Sequence, residues 1–131
     1  MAKKRRLACI VEDDMDILQL YYDALKDIAG ITLFKFTNPI LALEHVRTNK
    51  NSYVFVLADL RMPELNGLDL IKKIKELNDK IRTILVTAFD ASDIGINEYL
   101  KKEVVNGFIQ KPMKIAKLRL EINNQLSAYE S

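Results

Sequence analysis

Short apolar runs and longer amphipathic stretches alternate along the whole chain. Five apolar runs have the length of strands and cover residues 7–11, 31–36, 53–58, 81–86 and 107–110. Apolar residues spaced three and four apart predict helices at 15–29, 39–49, 68–77, 91–103 and from 115 to about 126. Gly30 is expected to cap the first helix, and Gly95 weakens the fourth. The alternation predicts a parallel sheet covered by helices on both faces, without revealing the strand order.

Polar side chains follow four of the five predicted strands. They are Glu12-Asp13-Asp14 after the first strand, Asp59 after the third, Thr87 after the fourth and Lys111 after the fifth. Parallel strands place their carboxyl ends along one edge of the sheet, so these groups are expected to converge on a single site. Asp14 is expected to serve mainly as the N-cap of the first helix.

The chemistry of these groups predicts a metal-assisted phosphoryl transfer onto Asp59. Several carboxylates in one pocket repel each other unless a cation neutralises them. Oxygen ligands without histidine or cysteine select a hard ion, and Mg²⁺ fits where water and phosphate oxygens complete the coordination. A carboxylate can attack phosphorus and form an acyl phosphate. Lys111 would supply positive charge, and the Thr87 hydroxyl could donate to a phosphoryl oxygen.

Length and composition favour one cytoplasmic domain. At 131 residues we predict a basic tail at 1–6, a domain at 7–127 and a short C-terminal tail at 128–131. The net charge of +2 carries no nucleic-acid signature, and no stretch is apolar enough to span a bilayer. Cys9 is the only cysteine, so an internal disulfide is excluded, and we expect a buried, unreactive thiol in a reducing compartment.

Four segments resemble the signatures of the receiver domain of two-component response regulators, with the single-domain chemotaxis regulators as the nearest type. They are CIVEDD, LADLRMPELNG, LVTA and FIQKP, in the family's order. The resemblance implies an α/β fold, a doubly wound five-stranded parallel sheet with five helices, known as flavodoxin-like. It departs from the family at EVVNGF, where a glycine-alanine pair is usual, so the fourth helix is the least constrained element.

The resemblance also implies roles for the residues that surround the acceptor. Asp59 would be the phospho-acceptor, and Glu12, Asp13 and Asp59 would bind Mg²⁺ together with the backbone carbonyl of Arg61. The side chain of Arg61 would flank the path of the water that hydrolyses the acyl phosphate. A long cation at this position is expected to slow self-dephosphorylation.

Further roles follow for the ends of the fourth and fifth strands. Thr87 and Lys111 would bind the phosphoryl group, and Lys111-Pro112 would be joined by a cis peptide bond. Phe108 takes the place of the switch aromatic, which is commonly tyrosine. Phe89 would exclude water from the acceptor.

The resemblance implies protein partners and no direct contact with nucleic acid. A histidine kinase or a histidine phosphotransfer protein would donate the phosphoryl group, because His45 lies outside any phosphodonor motif. A downstream effector would bind the fourth helix, fifth strand and fifth helix, and phosphorylation could also drive dimerisation.

Two other classes of function compete with a signalling switch. A phosphohydrolase with an aspartyl-phosphate intermediate commonly carries a second acid two residues beyond the nucleophile, where this chain has Arg61. A nucleotide-binding module would need a glycine-rich phosphate loop after the first strand, and the chain has EDDMD there. Both alternatives are therefore less favoured than the switch.

Overall fold

A computed structural model describes residues 5–88 and 95–131, and within them strands and helices alternate. The strands are β1 (Leu7–Val11), β2 (Thr32–Phe36), β3 (Tyr53–Asp59), β4 (Arg82–Thr87) and β5 (Gly107–Gln110). The helices are α1 (Met15–Leu25), α2 (Pro39–Thr48), α3 (Gly67–Leu77), α4 (Ile96–Lys101) and α5 (Ile115–Glu130). The predicted α/β fold is confirmed.

The strands form one parallel sheet in the order β2-β1-β3-β4-β5. The chain passes from β1 outward to β2, then crosses back over β1 to place β3 on its other side. Connections therefore leave β1 and β3 in opposite directions, which opens a crevice beyond their carboxyl ends, where ligands bind in sheets of this type. This topology supplies the strand order that the hydrophobic pattern alone could not.

Each face of the sheet is covered by its own apolar core. On one face α2, α3 and α4 bury residues such as Val46, Ile71 and Ile96 against the sheet. On the other face α1 and α5 bury residues such as Leu18 and Ile122. All seven residues of β3 are buried, as expected for a central strand covered on both sides.

Asx caps begin the first three helices, in the segments that follow β1, β2 and β3. The Asp14 carboxylate accepts the backbone N–H groups of Asp16 and Ile17, which confirms its predicted role as the N-cap of α1. Asn38 and Asn66 cap α2 and α3 in the same way. Local sequence therefore determines where these helices start relative to the functional edge of the sheet.

Helix α1 is shorter than the pattern predicts. It ends at Leu25, and the backbone N–H of Lys26 closes it by bonding to the Tyr22 carbonyl. Gly30 has the positive φ of a glycine turn, 79°, but it lies in the turn that leads to β2 and does not cap the helix. The apolar spacing continues past the end because Ile28 still packs against the core from the turn.

The fourth and fifth helices also differ from the predicted ranges. Gly95 has the left-handed φ of 64° and precedes α4, since an α-helix cannot continue through that conformation. Residues 91–94 of the predicted helix lie outside the described residues. Helix α5 extends to Glu130, into the segment predicted as a tail, and Arg6 secures its end through an ion pair of 2.7 Å with Glu130.

Two expectations about the chemistry of the chain can be compared with the fold. Cys9 is fully buried in β1, and burial raises the pKa of its thiol to about 12, so the group is unreactive as expected. Among residues 5–88 and 95–131, none of the helices is both long and apolar enough to cross a membrane.

His45 occupies a half-buried aromatic cluster on α2. Its Nδ1 lies 2.6 Å from the hydroxyl of Tyr53, and its ring centroid lies 4.4 Å from that of Phe34 and 5.5 Å from that of Phe36. Burial, and secondarily the charge of Arg5, lowers the pKa of His45 below its ordinary value. The folded protein therefore favours the neutral imidazole.

We predict that His45 makes the stability of the fold depend on pH. The unfolded chain protonates its histidine at a pKa of about 6.5, and the folded chain does so only at lower pH. Between these two values the unfolded state binds more protons, so stability is fully present above the unfolded pKa and falls as the pH decreases. Chemical denaturation between about pH 8 and about pH 5.5 should show a larger loss for the wild type than for His45→Gln.

The glutamine variant can still form a hydrogen bond with the Tyr53 hydroxyl but does not take up a proton. Because the substitution also changes the packing, the slope against pH is the relevant quantity and not the absolute stability. Equal slopes for the two proteins would contradict this interpretation of His45.

Candidate functional site

The polar groups predicted from the sequence meet at the carboxyl edge of the sheet. Asp59 and Thr87 are the last residues of β3 and β4, and Glu12 and Lys111 directly follow β1 and β5. The backbone N–H of Lys111 donates to the carbonyl of Thr87 over 2.8 Å, which continues the pairing of β4 and β5 beyond their ends. Backbone pairing therefore places all four groups on one rim.

A shared ion pair joins three of these side chains. The ammonium of Lys111 lies 3.0 Å from Oδ2 of Asp59 and 3.2 Å from Oε1 of Glu12. The Glu12 side chain is 2% exposed, that of Asp59 is 11% exposed, and that of Lys111 is 24% exposed. The pair is thus largely enclosed, with the lysine on the side that faces solvent.

The carboxylates of Glu12, Asp13 and Asp59 form a cluster suited to a hard cation. One oxygen from each lies within 4.8 Å of the others, and Asp13 is exposed while the other two are buried. Acidic oxygens with open space beside them match the requirements of Mg²⁺, which retains several waters. These three residues could therefore hold the ion that the sequence predicts.

The site shifts the pKa values of two of its members. Burial raises the pKa of Glu12 to about 7, helped by a hydrogen bond with Asp13 and the negative charge of Asp59, while Lys111 acts in the opposite direction. Burial alone would lower the pKa of Lys111, but its hydrogen bond and charge interaction with Asp59 outweigh it, and the pKa is raised. The site therefore holds more negative charge than one lysine can fully compensate.

A close backbone contact holds the loop after β3 beneath Asp59. A Cβ atom at Gly67 would overlap the backbone carbonyl of Asp59, and the Gly67 N–H donates to the Leu60 carbonyl over 2.8 Å. Gly67 is not among the functional residues predicted from the sequence. A signal was present, since a glycine that ends a loop before a helix often marks a close backbone approach.

Adjoining pockets open at the rim, and two of them border Lys111. One, of about 390 Å³, is lined by Asp59, Arg61, Thr87, Ala88 and Lys111, and we call it the acceptor pocket. The other is an apolar groove of about 370 Å³ that shares Ala88 and Lys111 with the acceptor pocket and is otherwise lined by Ile17, Leu20, Tyr21, Pro112, Met113 and Ile115. The acceptor carboxylate is therefore accessible from solvent and borders an apolar surface.

The remaining residues of the predicted site lie at different distances from this rim. Arg61 is exposed and lines the acceptor pocket, and the Lys111–Pro112 peptide bond beside it is cis. Phe108 is half-buried in β5 and packs against the core that α4 covers. Phe89 falls outside the described residues. His45 lies near Tyr53, the first residue of β3, and therefore at the opposite end of that strand from Asp59.

Comparison with known proteins agrees with this geometry. The family model for the response regulator receiver domain matches residues 8–123. The transcriptional regulatory protein ZraR of Klebsiella oxytoca is 30% identical over 118 residues, which are 90% of this chain and 26% of that protein. Two-component response regulator 24 of Arabidopsis thaliana is 30% identical over 128 residues, 95% of this chain and 86% of its own.

A solved structure agrees as well. A response regulator receiver domain protein from Clostridium thermocellum superposes with a TM-score of 0.83 at 26% identity, covering 95% of this chain and 97% of that one. The chain spans about a quarter of the length of the first curated relatives that it matches.

Proposed function

The chain belongs to the family of response regulator receiver domains, and on that basis we propose that Asp59 accepts a phosphoryl group from a histidine kinase or a histidine phosphotransfer protein. The observation that carries the proposal is the position of the Asp59 carboxylate. It lies in an open pocket, 3.0 Å from the ammonium of Lys111 and beside two further carboxylates. No other described carboxylate combines a cation, a carboxylate cluster and an open pocket in this way.

The transfer step needs little covalent chemistry from the protein. A carboxylate oxygen of Asp59 forms a bond to phosphorus while the bond from phosphorus to the donor imidazole nitrogen breaks, and that nitrogen keeps the electron pair. Glu12, Asp13, Asp59 and the backbone carbonyl of Arg61 would hold Mg²⁺, which offsets the negative charge on the phosphoryl oxygens. The chain therefore contributes mainly position and charge.

Lys111 and Thr87 stabilise the product. The ammonium of Lys111 already contacts Asp59, so a short movement brings it to a phosphoryl oxygen. Thr87 is buried in the last position of β4 and lines the acceptor pocket, where its hydroxyl can donate to another phosphoryl oxygen. This hydrogen bond would draw the Thr87 side chain toward the phosphoryl group. The half-buried ring of Phe108 could then move into the space that Thr87 leaves.

The partners follow from the surfaces around these groups. The apolar groove is continuous with the acceptor pocket, so the phosphodonor protein is its expected occupant. The surface of α4, β5 and α5 would bind the downstream effector or a second copy of the chain, because Thr87 and Phe108 lead from the acceptor to it. The transmitted signal is thus a change in protein binding.

A phosphohydrolase is not favoured by these observations. The residue two positions beyond Asp59 is Arg61, whose guanidinium offers only N–H donors where such enzymes carry a carboxylic acid. We therefore expect the protein to catalyse only its own phosphorylation and its own slow dephosphorylation.

We predict that acetyl phosphate adds a single phosphoryl group to the protein, and that the reaction requires Mg²⁺. The modified residue should be Asp59, because among the carboxylates that the structure describes it combines access, a neighbouring cation and the acidic cluster. Intact-mass spectrometry should detect the adduct in the wild type and in the control Asp69→Asn, which removes an exposed carboxylate on α3.

The variant Asp59→Asn should stay unmodified under the same conditions. A full adduct on Asp59→Asn, or labelling of the wild type that persists in excess chelator, would refute the assignment of Asp59 and its metal.

A further prediction concerns the lifetime of the acyl phosphate. Arg61 is exposed at the edge of the acceptor pocket, where its long side chain can cover the phosphoryl group against an attacking water. Arg61→Asn should shorten the lifetime roughly tenfold, equivalent to about 1.4 kcal/mol of barrier. Phosphate release from purified phosphoprotein after removal of the donor measures the rate.

The control is Arg47→Asn, which removes an exposed arginine from α2. The sequence-based prediction for Phe89→Glu is a shortening in the same direction. Loss of phosphate from the wild type within seconds, together with an unchanged rate in Arg61→Asn, would show that shielding is not what sets the lifetime.

A further inference from the structure

The position of Lys111 depends on the register of a short edge strand. Strand β5 has four residues and pairs with β4 alone, from Ile84 opposite Gly107 to Thr87 opposite Gln110. A slip of one residue would move β5 by about 3.3 Å and exchange the faces on which its side chains lie. The contact of 3.0 Å between Lys111 and Asp59 would not survive such a slip.

Asn106 extends the pairing of β5 beyond its amino end. Its backbone N–H donates to the carbonyl of Thr83 over 2.8 Å, and its side-chain Oδ1 accepts the backbone N–H of Thr83 over 3.0 Å. The amide side chain thus takes the place of a backbone carbonyl in the ladder. Together with the bond from the Lys111 N–H to Thr87, it anchors both ends of the strand.

Asn106 is also bonded to helices on both faces of the sheet. Lys75 of α3 donates to Oδ1 of Asn106 over 2.7 Å and to the carbonyl of Ile81 over 2.7 Å. From the other face, Gln125 of α5 donates to the carbonyl of Asn106 over 3.2 Å and accepts from Arg82 over 2.8 Å. Burial, and then the charge of Arg82, lowers the pKa of Lys75 to about 8, in keeping with its enclosed position.

The close approach of α5 to β5 adds a steric restriction at the neighbouring residue. A Cβ atom at Gly107 would overlap the side-chain carboxylate of Glu121 and come close to the amide of Gln125. A slipped strand would bring Phe108 or Asn106 to this place, where either side chain would displace the ends of the Glu121 and Gln125 side chains. The observed register avoids this displacement and keeps the hydrogen bond from Gln125 to Asn106.

We propose that Asn106 is a positioning residue for phosphorylation: it fixes the register of β5 against β4 and so holds Lys111 within reach of Asp59. The expected effect on phosphorylation rests on the proposed function of Asp59. The hydrogen bonds of Asn106 and the register of β5 do not depend on that function. The hydrogen bonds of Asn106 lie at the amino end of β5, and Lys111 follows the carboxyl end. Asn106 therefore acts on the site by fixing the position of Lys111.

The test compares Asn106→Leu, which keeps a similar shape but loses the hydrogen bonds, with Asn106→Asp, which can still accept from Lys75 and Thr83. Asn123→Leu is the matched control on the exposed face of α5. The two readouts are the hydrogen-exchange protection of the Lys111 amide and the rate of phosphorylation by acetyl phosphate, corrected for the folded fraction. Both should fall roughly tenfold in Asn106→Leu and stay near the wild-type value in the other two variants.

A double-mutant cycle separates positioning from a general loss of structure. In a Lys111→Ala background, Asn106→Leu should cause no further loss of phosphorylation rate, because the residue through which it acts is gone. If Asn106→Leu does not fold, Lys75→Met removes one of the bonds to Asn106 and should produce a smaller effect in the same direction.

Two outcomes would overturn the proposal. One is an Asn106→Leu protein that is less stable but keeps the wild-type protection of the Lys111 amide and the wild-type rate. The other is an equal loss of rate in the presence and absence of Lys111. Failure of acetyl phosphate to label the wild type would instead count against the function of Asp59, and the exchange readout would still decide the role of Asn106.

Discussion

The ion pair that Lys111 forms with Asp59 and Glu12 is the interaction on which the functional edge depends. Two nearly buried carboxylates lie beside a third that is exposed, and one ammonium group compensates them. A buried carboxylate left without its partner costs about 3–5 kcal/mol. The ammonium of Lys111, which directly follows the edge strand β5, therefore stabilises the approach of the ends of β1, β3 and β5.

The same interaction makes the site responsive to added charge. One ammonium group lies among three carboxylates, and the pKa of Glu12 is raised first by burial and then by its interactions with Asp13 and Asp59. A divalent cation on the carboxylate side would relieve the remaining repulsion, and a phosphoryl group on Asp59 would give Lys111 a new partner farther out. Under the proposed function, Thr87 and Phe108 would convert this change in charge at Asp59 into a change in the surface of α4, β5 and α5.

Local sequence patterns predicted the strands, the position of the site and one helix cap. Apolar runs marked the strands because both faces of the sheet are covered, and strand ends marked the site because parallel strands share an edge. Asp14 was recognisable as a cap because capping involves only the next few residues. The end of α1 was predicted too late, since Ile28 packs against the core from a turn and keeps the helical spacing.

Features that depend on tertiary contact could not be predicted from the chain alone. The strand order follows from how the connections cross, and periodicity does not carry that information. Lys75 looks like a solvent-facing lysine in the run LIKKIKEL, yet it reaches the loop before β5. Asn106 takes its role from a segment distant in sequence, the start of β4.

The most direct test of this account measures Mg²⁺ affinity and phosphorylation rate together in the wild type and in Lys111→Met. If Lys111 is the internal counter-ion of the cluster, Lys111→Met should remove the positive charge that competes with Mg²⁺ for the carboxylates. Mg²⁺ should then bind roughly tenfold more tightly by calorimetry, about 1.4 kcal/mol, while phosphorylation by acetyl phosphate becomes slower. Weaker or unchanged Mg²⁺ binding, or an unchanged rate of phosphorylation, would contradict the account.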